Sequence, residues 1–316
     1  MGILRETIFD DLYLESDLGN SRIRGLSGSP ALLPVPGDLM DDIRRLFESV
    51  RVQFRNIPDA AEFSVPYDDV MYRVSVIRDI RATVFALRRG AVRVPPLIDC
   101  NIPPIIIDRL KGLSHGLVLF SGSFSTGKTT ASSAYALEFS MDGGLVVTLE
   151  DPPELALSGD HGRGRILQIQ IDREHIERAI EATMRMSFDM LFVSEIRTPA
   201  MASEIINASI NGKLIVSTIH ADSIVGALMR LATLAGAGSG GGDRNSGSNV
   251  MRGSMSGGLA VIIHMTKRDD GTRGSDEILL CTQNVRSKIN AGEFSRVQED
   301  INQLKARMLN GLPISG

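Results

Sequence analysis

The stretch Gly122-Ser-Phe-Ser-Thr-Gly127-Lys128-Thr129 constrains this 316-residue chain more than any other feature. It fits G-x-x-x-x-G-K-[ST], a pattern that carries chemistry only when a strand enters it and a helix leaves it. Both neighbours are present: 117–121 is an apolar run of strand length, and 128–139 has a helical pattern. The glycines let the backbone curl so that its N–H groups converge on an anion. The positive end of the following helix faces the same point. Gly122, Ser123, Phe124, Ser125, Thr126, Gly127, Lys128, Thr129 and Thr130 are therefore the expected phosphate-binding residues. In such a loop the Lys128 ammonium neutralises the terminal phosphates of a nucleotide, and the Thr129 hydroxyl completes a magnesium shell.

Around this loop, strand and helix patterns alternate. Strands are expected at 145–150, 166–171, 190–193 and 214–218, and helices at 173–186, 199–210 and 223–234. That alternation specifies an α/β fold with a mainly parallel sheet and helices on both faces. Residues 1–95 read differently. Prolines and glycines punctuate short segments, and 38–50 carries an apolar helical face behind Asp38, a suitable N-cap. Segments 71–77 and 83–87 alternate as strands. A small α+β domain at 1–95 and a second domain at 96–316 are expected, joined by the proline-stiffened Arg93-Val-Pro-Pro-Leu97. The glycine-rich 235–258 is expected to be a flexible linker or loop, with a hinge as the functional alternative. Beyond it, 277–281 reads as a strand and 285–290 and 296–308 as helices, so 259–316 is expected to be mainly helical.

Composition excludes several classes. The formal net charge of -4 argues against whole-surface capture of nucleic acid, as does the absence of any Trp. Two cysteines, Cys100 and Cys281, cannot build a four-thiolate zinc module. They could form one disulfide, but a reducing compartment is the plainer reading. No apolar run approaches the roughly 20 residues of a membrane span. The first residues lack a basic start followed by an apolar stretch, and Glu6 spoils the myristoylation pattern after Gly2. A cytoplasmic protein is expected, reaching a membrane only through partners.

Three further motifs carry acids or a histidine to strand ends. Asp189-Met-Leu-Phe-Val-Ser-Glu195 is an apolar strand closed by an acid, where ligands gather in open parallel sheets. Glu195 is thus a candidate for the magnesium side of the site. Glu150-Asp151-Pro152-Pro153-Glu154 places carboxylates on a proline-stiffened turn, suited to positioning water but also common as a plain turn. Thr218-Ile-His220-Ala-Asp222 ends another strand. His220 there is either a phosphate sensor or a structural histidine.

Taken in order, the four motifs resemble those of the secretion and pilus ATPase family: phosphate loop, aspartate box, Walker B strand and histidine box. The likeness extends outward to Asp10-Asp-Leu-Tyr-Leu14, Glu62-Phe-Ser-Val65, Tyr72-Arg-Val74, Glu277-Ile-Leu279 and Val285-Arg-Ser-Lys-Ile289. These segments are similar to the PilT-like retraction group, and 97–110 to the DotB-like branch of type IVB secretion and conjugation. The resemblance implies a RecA-like P-loop NTPase domain preceded by a PAS-like domain, assembled as a homo-hexamer that hydrolyses ATP with magnesium. It implies a membrane-embedded platform or secretion-channel protein as partner.

It also implies roles for residues. Glu154 would position the attacking water, Glu195 would organise magnesium, and His220 would couple the site to conformational change. Arg81 and Arg88 match arginines that reach a neighbouring nucleotide, and Arg185 and Arg197 align with further basic positions. Assembly and type II members usually carry a four-cysteine zinc module, which this chain lacks. The sequence departs from the family pattern at Ser194 (commonly Gly), Thr198 (commonly Asp) and Ala221-Asp222 (commonly Thr-Thr or Thr-Asn). Those departures motivate an alternative reading, a nucleotide-binding regulatory or scaffold subunit with little hydrolysis.

Overall fold

The computed structural model describes residues 2–238 and 244–314, which fall into two compact units. One is Met1–Val94 with Asp151–Ala156; the other is Pro95–Glu150 with Leu157–Gly316.

The first unit is an antiparallel sheet and one long helix. Its elements are β1 (Asp11–Leu14), β2 (Arg22–Arg24), β3 (Leu32–Pro34), α1 (Met40–Asn56), β4 (Glu62–Tyr67), β5 (Val70–Arg78) and β6 (Thr83–Arg89). Among the described residues the sheet has six strands in the order β3-β2-β1-β6-β5-β4. Ile43, Leu46, Phe47 and Val50 fall on one face of α1 and are buried against Leu12, Leu14, Phe63, Val74 and Leu87 of the sheet. The helix starts two residues later than its periodicity suggests. Asp38 lies in a 3-10 turn, Gly37–Leu39, and is not the N-cap. The buried acid of the first turn is Asp42. Its carboxylate accepts hydrogen bonds from Leu4 N (2.9 Å) and Tyr67 Oη (2.8 Å) and pairs with Arg45 at 3.2 Å. Burial pushes the Asp42 carboxyl up, but those donors outweigh it and the net direction is down.

The second unit contains α2 (Pro104–Lys111), β7 (Gly116–Gly122), α3 (Lys128–Met141), β8 (Leu145–Glu150), β9 (Gly159–His161), β10 (Gly164–Gln170), α4 (Ile176–Thr183), β11 (Met190–Glu195), α5 (Pro199–Ile210), β12 (Leu214–His220), α6 (Ile224–Gly238), α7 (Arg244–Gly258), β13 (Leu259–Lys267), β14 (Arg273–Leu280), α8 (Gln283–Ala291) and α9 (Val297–Leu309). Among the described residues its sheet runs β14-β13-β7-β12-β11-β8-β10-β9. Neighbours from β13 through β10 are parallel, and only the two edge strands pair antiparallel. Central strands of such a sheet are buried on both sides, which is why they read as continuous apolar runs. Leu117, Leu119, Leu191, Val193 and Ile215 join one core with α4, α5 and α6. Their neighbours Val118, Phe120, Phe192 and Val216 point to the other face, where α3 packs. The α/β fold with its mainly parallel sheet, and the α+β character of the N-terminal unit, thus agree with the sequence.

Three expectations are corrected. Residues 235–258 are helical where described: 235–238 end α6 and 244–258 form α7, while 239–243 lie outside the described residues. Glycine content lowers helix propensity, but Met251 and Met255 of α7 are buried in the core, and packing outweighs propensity. Residues 259–316 are not mainly helical, because β13 and β14 form an antiparallel hairpin before α8 and α9. The helix expected at 173–186 begins as a 3-10 turn, and α4 ends at Thr183.

Candidate functional site

The phosphate-loop pattern stands where β7 ends and α3 begins. Gly122 closes β7 with φ +150°; a Cβ there would lie 2.4 Å from Met265 O and 2.6 Å from Thr126 Oγ1, so no side chain fits. Gly127 has φ +93° and turns the chain directly into the first turn of α3. Within that cradle Lys128 Nζ donates to Gly122 O at 2.8 Å and Ser123 O at 2.6 Å. Thr126 Oγ1 donates to Ser123 O at 2.9 Å, and Thr126 itself is buried. Thr129 and Thr130 are half-buried on the first turn of α3. The loop therefore aims main-chain donors, an ammonium and a helix N-terminus at one spot.

Adjacent strands bring the next two candidates to the same edge. His220 is the last residue of β12, in register with Gly122 of β7. Its ring stacks on Phe124 with centroids 4.3 Å apart, and Phe124 is 82% exposed. His220 Nδ1 is buried and has no hydrogen-bond partner. Glu195 ends β11, one strand further, beyond a bulge at Ser194. Its Oε2 accepts from Arg197 Nε at 2.9 Å and Nη2 at 2.7 Å. Gly122–Thr130, Glu195, Arg197 and His220 thus gather at the carboxyl ends of three neighbouring parallel strands, the edge where such sheets bind ligands.

Other candidates sit elsewhere. Arg185 is exposed between α4 and β11. It lies before β11 begins, whereas Glu195 lies where β11 ends, so the length of a strand separates them. Arg81, Arg88 and Glu154 belong to the first unit. Arg81 occupies the turn between β5 and β6. Arg88 Nε donates to Asp11 Oδ1 at 3.0 Å, and that bond pushes its already high pKa further up. Glu154 Oε1 accepts from Arg73 Nη2 at 2.8 Å. The turn before it contains a cis Asp151–Pro152 bond, and Pro153 O accepts from Ser64 Oγ at 2.6 Å. Glu150 is buried at the end of β8, where Thr148 Oγ1 and Gln168 Nε2 donate to its Oε1, each at 2.8 Å.

The structure adds residues that sequence reasoning missed. Arg273, at the start of β14, donates from Nε to Ser125 O at 2.9 Å and lays its aliphatic stem beside Gly127. Ser125 has φ +59°, unusual for a residue with a side chain, so this donor reaches the most constrained point of the loop. Asp222 Oδ1 accepts from Ser123 Oγ at 2.7 Å. Behind the loop, Ser121 Oγ and His264 Nδ1 lie 3.0 Å apart. Burial pushes the His264 pKa down, so the ring is held neutral beside the strand that enters the loop. No local pattern marks Arg273, which lies 148 residues from its partner.

The residues present fit a nucleoside triphosphate. The Gly122 cradle has no room for a side chain, and the orphaned His220 Nδ1 offers a polar atom beside it. Among the described residues no three His, Cys, Asp or Glu converge as a metal cage. A magnesium ion would depend on Thr129, Glu195 and the phosphates themselves.

Comparison with known proteins agrees with this geometry. Residues 105–286 match the family described as Type II/IV secretion system protein. The chain is 31% identical over 192 residues to the Type II secretion system protein E of Klebsiella pneumoniae. It is 33% identical over 191 residues to that of Pectobacterium carotovorum subsp. carotovorum. Each match takes in 55% of this chain and 37% of the relative, so the chain spans less than two-fifths of these relatives. Among solved structures it resembles the pilus retraction motor PilT with bound ADP, with a TM-score of 0.74 and 19% identity, covering 100% of this chain and 95% of that one. It also resembles the Legionella pneumophila ATPase DotB, with a TM-score of 0.67 and 16% identity, covering 92% of this chain and 84% of that one. At these identities the solved structures establish the fold.

Proposed function

Because the chain belongs to the Type II/IV secretion system protein family, we propose that it is a motor ATPase that works as a ring of six copies. It hydrolyses ATP to ADP and phosphate and drives type IV pilus retraction or a type IV secretion or conjugation machine. The observation that carries the reading is the strand–loop–helix cradle of Gly122–Thr130, with His220 and Glu195 on the neighbouring strand ends.

The chemistry follows from those side chains. Main-chain donors of the loop and Lys128 hold the β- and γ-phosphates and spread their charge. Thr129 and Glu195 would hold a magnesium ion, which would supply further charge neutralisation. Glu154 accepts a proton from, or orients, the water that attacks the γ-phosphate. Arg81, Arg88, Arg185 and Arg197 are the candidates for stabilising charge that develops on the transferring group. Arg185 lies at the opposite sheet edge from the loop, so its target would be the site of another copy. His220, stacked on Phe124 of the loop, reports phosphate occupancy to the end of β12.

The protein would work at the cytoplasmic side of the inner membrane, docked to a platform or secretion-channel protein. Among the described residues no helix is long and apolar enough to cross a membrane. Nucleic acid is not an expected partner.

One observation favours the alternative of a regulatory or scaffold subunit. Glu195 is paired with Arg197 at 2.7 Å, and a carboxylate engaged in this way is less available to organise magnesium. Measuring ATPase rate against protein concentration, with the assembly mass in parallel, separates the two. Turnover confined to a six-fold particle, and lost in Glu154→Gln with ATP binding kept, supports the motor. ATP binding without turnover in every assembly supports the regulatory subunit.

A further inference from the structure

The first unit holds a basic cleft in which Arg51 and Arg55 have no part in the proposed phosphate-loop chemistry, and Arg81 is their neighbour. It measures about 330 Å³ and opens where the C-terminal half of α1 crosses the start of β6. Arg51, Arg55 and Arg81 line it over a floor of Phe47, Phe54 and Phe85. The floor is fixed: Phe54 meets Phe85 edge-on with ring centroids 5.3 Å apart, and Phe47 meets Phe85 at 6.1 Å. Arg51 and Arg55 are one helical turn apart, so α1 presents both to the same side. Arg81 comes from the β5–β6 turn, and Ser16 and Thr83 add hydroxyls.

Charge balance makes the cleft unusual. The other arginines of the first half of α1 are paired: Arg44 with Asp41 at 2.9 Å and Arg45 with Asp42 at 3.2 Å. Arg51 pairs with Glu48 at 3.0 Å. The side chains of Arg55 and Arg81 have no ion-pair or hydrogen-bond partner among the described residues. Asp79 accepts the backbone N–H of Arg81, at 3.4 Å. No carboxylate lines the cleft. Two of the three guanidiniums that share this concavity, Arg55 and Arg81, have no counter-charge in it, and an entering anion would supply one. Planar guanidinium forks suit a tetrahedral oxyanion that can accept from several directions at once.

We propose that this cleft is a binding site for a phosphate group, formed by Arg51, Arg55 and Arg81 on the aromatic floor of the first unit. The site does not depend on nucleotide hydrolysis. It gives Arg81 two partners that no motif marks. A soluble polyphosphate and an anionic lipid headgroup both present the required chemistry.

The test is calorimetric titration of the full chain with inorganic pyrophosphate in the Lys128→Ala background, which weakens the phosphate-loop contribution. If that variant fails to fold, wild type saturated with ADP and magnesium takes its place. A binding event is expected that Arg51→Gln with Arg55→Gln weakens about tenfold or more. Both side chains are exposed, so thermal unfolding should not move. In parallel, co-sedimentation with phosphatidylglycerol vesicles is compared for the same variants. Arginine-dependent sedimentation without pyrophosphate binding identifies a lipid headgroup as the source. Arginine-dependent pyrophosphate binding without sedimentation identifies a soluble one. Binding in both arms that the substitutions leave unchanged, or binding in neither, overturns the site.

Discussion

Asp222 Oδ1 accepts a hydrogen bond from Ser123 Oγ at 2.7 Å, tying the segment after β12 to the loop after β7 across 99 residues of sequence. Asp222 thus has a structural partner in the loop. If the tie shapes the loop, Ser123→Ala and Asp222→Ala should each weaken ATP binding by about 1 kcal/mol, roughly fivefold. The double variant should lose little more than either single one. A titration with a fluorescent ATP analogue measures this, and fully additive losses would show that the two residues act independently.

Lys128→Ala removes the ammonium that lies across Gly122 O and Ser123 O. ATP affinity should fall at least about tenfold, the loss of a charge-assisted contact. The fold should survive, because the side chain is only half-buried. Wild-type ATP affinity and turnover in this variant would remove the phosphate loop from the reading altogether.

Arg273→Ala takes away the donor to Ser125 O while leaving every loop residue in place. Hydrogen exchange of the 123–127 amides should speed up, and ATP affinity should fall by a few-fold. Arg273→Lys restores charge without the fork and should rescue affinity only in part. Unchanged exchange in Arg273→Ala would show that the loop holds its shape unaided.

Asp42 sets a pH dependence with a definite sign. Its carboxyl is held below the ordinary range near 3.9, because the donors Leu4 N, Tyr67 Oη and Arg45 outweigh the cost of burial. A carboxylate with a depressed folded-state pKa contributes stability that is fully present above the unfolded value. That contribution is lost as pH falls through the folded value. Asp42→Asn should therefore be destabilising near neutrality, by about 1–3 kcal/mol for a buried charged hydrogen-bond group. The gap between variant and wild type should narrow below about pH 4. Urea unfolding at pH 7 and pH 3 checks both arms; a gap independent of pH would assign the loss to packing.

The phosphate loop was legible because its geometry is local: Gly122, Gly127 and Lys128 are fixed by the turn they form. The strand ends at Glu195 and His220 were legible for a related reason, since doubly buried strands announce themselves as apolar runs. Arg273 was not, because its reach to Ser125 depends on β13 and β14 pairing beside β7. Helix α7 was hidden by its glycines, whose propensity argues for coil until Met251 and Met255 find the core. Arg185 carried the right charge in a familiar spacing, yet the parallel sheet puts it at the edge away from the loop. Sequence spacing says little about which end of a sheet a connecting segment occupies.

The two units are not consecutive pieces of chain, since 151–156 belongs with the first and lies within the stretch of the second. The polypeptide therefore passes from one to the other three times, after Val94, after Glu150 and after Ala156. A fragment ending at residue 94 would leave Arg73 without Glu154 and Ser64 without Pro153. Glu150 is fixed at the end of β8, and Glu154, four residues on, is gripped by Arg73. Two acids of one short motif are thus anchored in different units, four residues apart in the chain.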